Sequence, residues 1–293
     1  MYIHDLNMPW LEHDFTRNHF LLQNEGQIEK ILRTNVSELY IDTNRGFYVA
    51  NAPAQREAET EFMSKIMGLA STSSNDGQNS QFEAQWAESK QIQNDAVKVI
   101  GSILQDVRIG KQVNIEQAIP VVKNIAEAVL GNDGTLVSLC RIKQRDKYTF
   151  QHSVSVSALL VTFCHSIGGF NENNLIEIGL AGLFHDVGKM RIPNEILNKP
   201  GHLSEAEFAI MRTHVTEGVN YLLSGHNLNE STLRIVAEHH ERFDGTGYPR
   251  KLSRNAISLL GQMASIVDVY DAITSVRVYH TALEPPDALQ APV

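Results

Sequence analysis

The sequence has only two cysteines, no long apolar run and no excess of basic residues. Because no run of about 18 apolar residues occurs, the sequence predicts no membrane-spanning helix. The N-terminus carries early acids and histidines in place of an apolar stretch, so it is not predicted to be a signal peptide. Cys140 and Cys164 lack the spacing of a metal site and are interpreted as core thiols of a cytoplasmic protein.

The formal net charge of the chain is −9, which argues against a partner such as DNA or RNA, since proteins that bind nucleic acids present a basic surface. A small anionic ligand is still allowed, because a local pocket can oppose the charge of the whole chain. The apolar fraction of 42% is typical of a globular protein with a substantial core.

The first predicted domain is a small α+β unit over residues 1–70. Asn24 is a candidate cap for a short helix bearing Ile28, Ile31 and Leu32. Two strand-like segments and a further helix follow, which we place at 38–42, 47–49 and 54–70.

The remainder of the chain is predicted to be almost entirely helical. Residues 71–81 are rich in Ser and Asn and predict a mobile linker, and residues 82–293 predict an all-α helical bundle. The fold class is therefore mainly α. Ser204 with Glu207 is a capping-box signature, and Gly131 is a candidate helix C-cap. The predicted helices span 82–107, 115–130, 134–142, 150–167, 172–185, 204–223, 229–240 and 256–276.

Histidines and aspartates lie on or at the ends of these predicted helices. The set comprises His152, His185, Asp186, His214, His239, His240 and Asp268. Any one of these residues alone is more often a core or surface residue than a ligand. Together, imidazoles and carboxylates that converge in a bundle core would suit Fe, Mn, Zn or Ni, and a carboxylate such as Asp186 can bridge two ions.

Three motifs carry a resemblance to a known family: HDVGK at 185–189, HHERFDGTGYP at 239–249 and DVYDAITSVRVYH at 268–280. A Gly- and Pro-rich loop alone would indicate only a turn. Together with the other two motifs, it makes the region 115–281 resemble the HD-GYP family of cyclic di-GMP phosphodiesterases, a branch of the HD metal-dependent phosphohydrolases.

The resemblance implies a role for each matching residue. One divalent ion would be held by His152, His185, Asp186 and Asp268, and a second by Asp186, His214, His239 and His240. Lys189 and Asp186 would be catalytic, and the substrate contacts would come from Lys189, Asp271, Arg277 and Tyr248. The ions implied are iron or manganese. Some family members hold a third ion with a Glu, and Tyr148 stands at that position, so two ions are favoured.

The resemblance leaves more than one function open. The first is hydrolysis of cyclic di-GMP to the linear dinucleotide, with GMP as a further product left open. A second is a preference for mixed cyclic GMP-AMP. A third is a weak or inactive module that senses the dinucleotide or docks a diguanylate cyclase through the GYP loop. All seven ligand positions are filled, which favours the enzyme.

Both ends of the chain also invite comparison. The N-terminal segments around PWLEHDF and ELYIDTNRG resemble the small domain of unassigned function that often precedes HD-GYP domains, and Trp10, Phe15 and Phe20 are interpreted as its core. The family continues beyond DVYDAITSVRVYH through more helices. We therefore expect residues 82–293 to be truncated at their C-terminus and marginally stable, with apolar side chains of 256–276 exposed.

Overall fold

The computed structural model describes residues 1–5, 20–33, 39–42, 45–47, 76–111, 115–131, 134–140, 148–199, 202–224 and 229–275. The chain divides into two compact units, Met1–Glu88 and Ser89–Val293. Within the described ranges, no helix is both long enough and apolar enough to cross a membrane. Several sequence predictions lie outside the described residues: the helix over 54–70, Trp10, Phe15, Arg277 and the segment 276–293.

The first unit contains a small antiparallel sheet and one helix. The sheet has the order β2-β1-β3, with strands β1 (Tyr2–Asp5), β2 (Phe20–Leu21) and β3 (Tyr40–Ile41), and the helix is α1 (Glu25–Leu32). The side-chain Oδ1 of Asn24 accepts a hydrogen bond from the backbone N–H of Gln27, which confirms the predicted cap. Ile3 and Ile31 form the buried core of this unit. The prediction of a small α+β unit is thereby confirmed, although neither β1 nor β2 was anticipated.

From Asp76 onward, every regular element in the described part of the chain is helical, which confirms the predicted all-α region. The helices are α2 (Asp76–Arg108), α3 (Ile119–Leu130), α4 (Gly134–Leu139), α5 (Tyr148–Ile167), α6 (Glu172–Phe184), α7 (Asn194–Leu197), α8 (Glu205–Arg212), α9 (His214–Leu223), α10 (Glu230–Glu238) and α11 (Leu259–Thr274). Short 3₁₀ turns lie at Ile115–Ala118, Val187–Arg191 and Arg254–Ala256.

Two of the predicted helices differ most from the structure. Helix α2 begins at Asp76, inside the predicted linker, because extending an established helix adds one backbone hydrogen bond per residue and an acid at the N-terminus favours the helix dipole. The predicted helix over 204–223 is broken at Thr213 into α8 and α9. The imidazole of His214 donates a hydrogen bond to the Met211 carbonyl, and the Thr213 hydroxyl donates one to the Ile210 carbonyl. At the break, side-chain hydrogen bonds to backbone carbonyls therefore compete with those of a continuous helix.

The core of the second unit brings α5 and α6 very close together. A Cβ added at Gly182 would lie 2.9 Å from the Ser157 Cα, and the Ser157 hydroxyl donates to the Gly179 carbonyl over 2.7 Å. Cys140 and Cys164 form no disulfide and are buried in this core, as predicted. Because α6 ends at Phe184 inside the bundle, the polar pair that follows it is carried into the protein interior.

Candidate metal centre

The structure brings the seven predicted ligand residues together. His152 lies on α5, His185 and Asp186 follow α6, and His214 begins α9. His239 and His240 follow α10, and Asp268 lies on α11. Five separate segments therefore converge on one point, which apolar packing of the bundle fixes.

The side chains form two adjacent groups in which all potential ligand atoms lie within 4.8 Å of one another. One group consists of His152, His185 and Asp268, and the other of Asp186, His214, His239 and His240. Such compact sets of nitrogen and oxygen donors are suited to divalent transition-metal ions.

Asp186 lies between the two groups and turns one carboxylate oxygen toward each. Its Oδ1 is 3.4 Å from the Nε2 of His214 and 3.8 Å from the Nε2 of His239. Its Oδ2 is 3.3 Å from the Nε2 of His185 and 3.8 Å from that of His152. This is the orientation that a carboxylate needs to be shared by two ions.

Three of the histidines are anchored in the same way, through the backbone carbonyl three residues earlier. The Nδ1–H groups of His185, His214 and His239 donate to carbonyls over 2.7, 2.8 and 2.8 Å. A histidine that donates from Nδ1 keeps the Nε2 lone pair free for a metal ion, and such outer contacts also fix the ring orientation. The local helix geometry thus presents three Nε2 atoms to the centre.

Four buried polar atoms at this point have no hydrogen-bond partner within the described residues: His185 Nε2, Asp186 Oδ1, His214 Nε2 and His239 Nε2. An unsatisfied buried acceptor costs about 1–3 kcal/mol, so four in one place need a common explanation. Divalent metal ions would satisfy all four at once, and the residues present therefore fit the metal ions that the sequence implies.

The pKa shifts of three imidazoles agree with metal ligation. His185 differs, because burial lowers its pKa but the charge of Asp186 and the hydrogen bond to it outweigh burial and raise it. Burial lowers the pKa of His239 well below its usual value, and the neighbouring rings of His240 and His185 lower it further. Burial likewise lowers the pKa of His240 to about 4 and lowers that of His214. These rings are neutral near pH 7, which is the form that binds a metal ion.

The carboxylates of the centre are held in the ionised form. Burial alone would raise the pKa of Asp186, but the charges of Lys189 and His185 outweigh it and hold the pKa well below the usual value. Burial opposes ionisation of Asp268 in the same way, and the hydrogen bond and charge of His152 lower its pKa. The Lys189 ammonium lies 2.5 Å from Asp186 Oδ2, so the predicted catalytic lysine lies at the centre.

Asp271 lies directly against His152, one of the predicted ligand residues. Its carboxylate is buried, with 3% of the side chain exposed, and Oδ2 accepts a hydrogen bond from His152 Nδ1 over 2.6 Å. The substrate contact predicted for Asp271 stays a prediction, and the structure adds a contact that orients His152. Asp268 and Asp271 lie three residues apart on α11, which places both on one helix face, toward His152.

We expect Asp271→Asn to lower the affinity of the centre for metal ions by about 10- to 100-fold. The variant loses the negative charge that makes the other ring nitrogen of His152 a stronger metal ligand. Chelator competition followed by elemental analysis measures the change. Asp106→Asn is a matched control, since Asp106 pairs with Lys111 on the surface. Equal metal retention by the Asp271 variant and the wild-type chain would contradict the orienting role.

The loop from His239 to Pro249 is braced by two buried glutamates that sequence reasoning missed. Glu241 is 1% exposed and accepts from the backbone N–H groups of Arg250 and Leu252 over 2.7 and 2.8 Å. Glu238 is 2% exposed and accepts from the Arg250 guanidinium and the Ser258 N–H. The signal available in the sequence was the pair of acids that flank two histidines at a helix end.

Tyr248 lies against His240, the most accessible of the seven predicted ligand residues. Its ring centroid is 4.8 Å from that of His240, at an interplanar angle of 31°, and its N–H donates to the His240 carbonyl. Gly247 permits this close turn, because a Cβ there would lie 2.3 Å from the Arg242 nitrogen. The substrate contact predicted for Tyr248 stays a prediction. Arg277 and the side chain of Tyr148 lie outside the described residues.

Comparison with known families and proteins gives the chain a context. The model of the HD domain family matches residues 141–291, and that of a domain of unknown function, DUF3391, matches residues 1–118. A cyclic di-GMP phosphodiesterase of Pseudomonas aeruginosa is 33% identical over 291 residues, which is 99% of this chain and 69% of that relative.

Shorter matches cover about half of the chain. A 3'3'-cGAMP-specific phosphodiesterase of Vibrio cholerae is 36% identical over 142 residues, 48% of this chain and 32% of the relative. A cyclic di-GMP phosphodiesterase of Thermotoga maritima is 39% identical over 139 residues, 46% of this chain and 37% of the relative. The chain thus spans about a third of the length of each of these two relatives.

The fold has a counterpart among solved structures. An HDG"Y"P protein from Bdellovibrio bacteriovorus superimposes with a TM-score of 0.57 at 18% identity, over 93% of this chain and 83% of that protein. The similarity extends the sequence comparisons to the fold. The family match over half of the chain, the relative aligned along 99% of it and the converging histidines and aspartates lead to one conclusion: the chain belongs to the HD domain family, in its HD-GYP branch.

Proposed function

We propose that this protein is a metal-dependent phosphodiesterase that hydrolyses cyclic di-GMP to the linear dinucleotide. The observation that carries the proposal is the complete set of seven converging ligand residues, four of whose polar atoms are buried and unsatisfied within the described residues. Relatives named as cyclic di-GMP phosphodiesterases in four organisms support the choice of substrate. An inactive sensing module has no physical need for an intact set of this kind.

The accessible edge of the centre indicates where the substrate binds. The side chains of His185, His214 and His239 are each 1% exposed, whereas those of Lys189 and His240 are 27% and 25% exposed. A phosphate group therefore reaches the centre over Lys189 and His240. When bound, the metal ions would acidify a water molecule and polarise the phosphate.

The chain's own residues prepare the site for an anion. Lys189 supplies a positive charge beside Asp186, where negative charge develops as the phosphodiester is attacked. Asp271 and the three backbone carbonyls hold the imidazole rings in place, so that little reorganisation accompanies the reaction. Tyr248 flanks His240 and shields that side of the centre from water.

Five imidazoles and two carboxylates are a donor set that iron and manganese accept, and we propose one of these metals in both positions. Thiolate ligands, which would favour zinc, do not contribute, since Cys140 and Cys164 are buried in the apolar core. Two ions account for all seven ligands. We retain two as the proposed number.

A mixed cyclic GMP-AMP substrate is the second candidate, favoured by the similarity to the Vibrio cholerae relative that is named as specific for it. Docking of a diguanylate cyclase at the GYP loop is retained as a proposed partnership. The loop presents Phe243 at 60% exposure, together with the charged side chains of Arg242 and Asp244.

The direct experiment purifies the chain without oxygen, measures bound metal by elemental analysis and follows both cyclic dinucleotides by chromatography. We expect two metal ions per chain and conversion of cyclic di-GMP to the linear product. A metal-loaded chain that binds cyclic di-GMP without turnover would favour the sensing module instead. Faster turnover of cyclic GMP-AMP would identify the second candidate as the substrate.

Lys189→Ala is expected to lower kcat by about 100-fold with a smaller change in KM, because its charge counts most when negative charge develops on the phosphate. Steady-state kinetics at matched metal content measures both constants. Lys199→Ala is the control, since Lys199 pairs with Glu207 and contacts none of the ligands. A Lys189 variant with unchanged kcat would exclude the lysine from the reaction.

A further inference from the structure

A guanidinium group lies beside the accessible edge of the centre and has no role in the chemistry described so far. The Cζ of Arg212 is 4.4 Å from the ring centroid of Phe208 and 5.4 Å from that of Tyr248. Arg212 is exposed, and it is held by these two aromatic rings. Stacking of this kind fixes the plane of a guanidinium while its N–H groups stay available at the edges.

The charge of Arg212 is not compensated by a carboxylate among the described residues. Three arginines of the helical unit are paired: Arg234 with Glu230, Arg242 with Asp244 and Arg250 with Glu238. Arg191, which stacks on Tyr221, resembles Arg212 in having no carboxylate partner among the described residues. In a chain of net charge −9, an arginine that is stacked on aromatic rings and left without an acid is a local site of positive potential.

The position of Arg212 relates it to the centre without making it part of the centre. The Tyr248 ring on which it stacks is 4.8 Å from the His240 ring and 6.3 Å from the His214 ring. Arg212 is the last residue of α8, and His214 begins α9. Lys189 lies inward and bonds to Asp186, so the two cations occupy different depths of one site.

We propose that Arg212 binds the second phosphodiester of the substrate, the one that is not cleaved. This inference rests on the proposed function, because a cyclic dinucleotide carries two phosphodiesters on one ring. When one of them lies at the metal ions and Lys189, the other keeps its charge and needs a cation at the rim. A planar guanidinium binds phosphate oxygens through two parallel N–H donors, and Tyr248 and Phe208 hold it ready for this.

The chemistry predicts a division between binding and turnover. Arg212→Ala removes a cation that holds the ring equally in the ground state and the transition state, so KM rises while kcat stays nearly constant. A model substrate with a single phosphodiester, bis(p-nitrophenyl) phosphate, has no second phosphate, so its KM is the same for Arg212→Ala and the wild type. Since the contact is to phosphate and not to a base, Arg212→Ala raises KM for cyclic di-GMP and for cyclic GMP-AMP by the same factor.

The experiment compares wild type, Arg212→Ala, Arg212→Lys and the control Arg234→Ala at equal metal content. We expect Arg212→Ala to raise KM for cyclic di-GMP by about 10- to 100-fold, with kcat within about twofold of wild type. Arg212→Lys keeps the positive charge but lacks the two parallel N–H donors of the guanidinium, so its KM is expected to lie between those of the wild type and Arg212→Ala. Arg234, paired with Glu230 on the surface of α10, is expected to give wild-type constants with both substrates.

The outcomes separate this inference from the proposed function. An unchanged KM in an active Arg212→Ala variant overturns the inference and leaves the function standing. If Arg212→Ala raises KM for bis(p-nitrophenyl) phosphate by the same factor, Arg212 belongs to the metal centre itself. If it raises KM more for cyclic di-GMP than for cyclic GMP-AMP, Arg212 contacts guanine. Either result also overturns the inference. If the wild type hydrolyses neither dinucleotide, equilibrium dialysis with cyclic di-GMP decides, and weaker retention by Arg212→Ala supports the anion site.

Discussion

Replacement of Asp186 is expected to abolish hydrolysis and to reduce bound metal together, with kcat lower by about 1,000-fold or more. The physical reason lies in its two oxygens, which are 3.4 Å from His214 Nε2 and 3.3 Å from His185 Nε2 and so serve both ligand groups. Asp186→Ala removes the shared oxygens, whereas Asp186→Asn keeps the shape and removes the charge. Elemental analysis measures bound metal, steady-state kinetics measures hydrolysis, and circular dichroism checks that the helical fold is kept.

The control for this variant is Asp95→Asn, because Asp95 is a surface acid of α2 that pairs with Lys98. It is expected to keep the metal content and turnover of the wild type. We expect both Asp186 variants to keep their helical circular dichroism, since the apolar core of the bundle does not depend on this side chain. Full turnover by a variant with verified metal content would refute a shared carboxylate between two ions.

The positions of the ligands were predictable because the chemistry and the helical pattern agree. His185 and Asp186 end an apolar helix that buries its whole circumference, so both needed partners in the interior. His239 and His240 similarly end α10. Sequence motifs located these residues, and the fold brings them together as expected, although their roles as ligands stay a prediction.

Other features depended on three-dimensional contacts that no periodicity reveals. The spacing of Asp268 and Asp271 places them on one helix face, but only the fold shows that His152 lies opposite and takes the second carboxylate. The break at Thr213 arises from side-chain bonds to carbonyls, which compete locally with a strong helical pattern. Glu241 is buried because the loop that follows folds back onto it.

The last prediction concerns Gly188, which lets the turn Val187–Arg191 lie directly on α9. A Cβ at Gly188 would lie 1.9 Å from the His214 carbonyl oxygen and 2.5 Å from the Gly218 nitrogen. Both are backbone atoms, so no side-chain rotation can relieve the overlap. Gly188→Ala must therefore move the turn away from α9, and with it Asp186 and Lys189 away from His214.

We expect Gly188→Ala to lower the free energy of unfolding by about 2–4 kcal/mol and to weaken metal binding, because overpacking and a displaced ligand act together. Urea denaturation with elemental analysis measures both effects. Gly134→Ala is the matched control: it lies at the start of α4, a Cβ there meets no heavy atom within 4 Å, and the change removes backbone freedom only from the unfolded chain.

Gly218→Ala gives an intermediate test from the opposite side of the same contact. Its Cβ would lie 3.3 Å from the Gly188 nitrogen, so a shift of a few tenths of an ångström accommodates it, and the loss of stability is expected to be smaller than for Gly188→Ala. If Gly188→Ala matched the stability and metal content of Gly134→Ala, the close contact between the turn and α9 would not determine where Asp186 lies. The position of the bridging carboxylate would then have to be set by α6 alone.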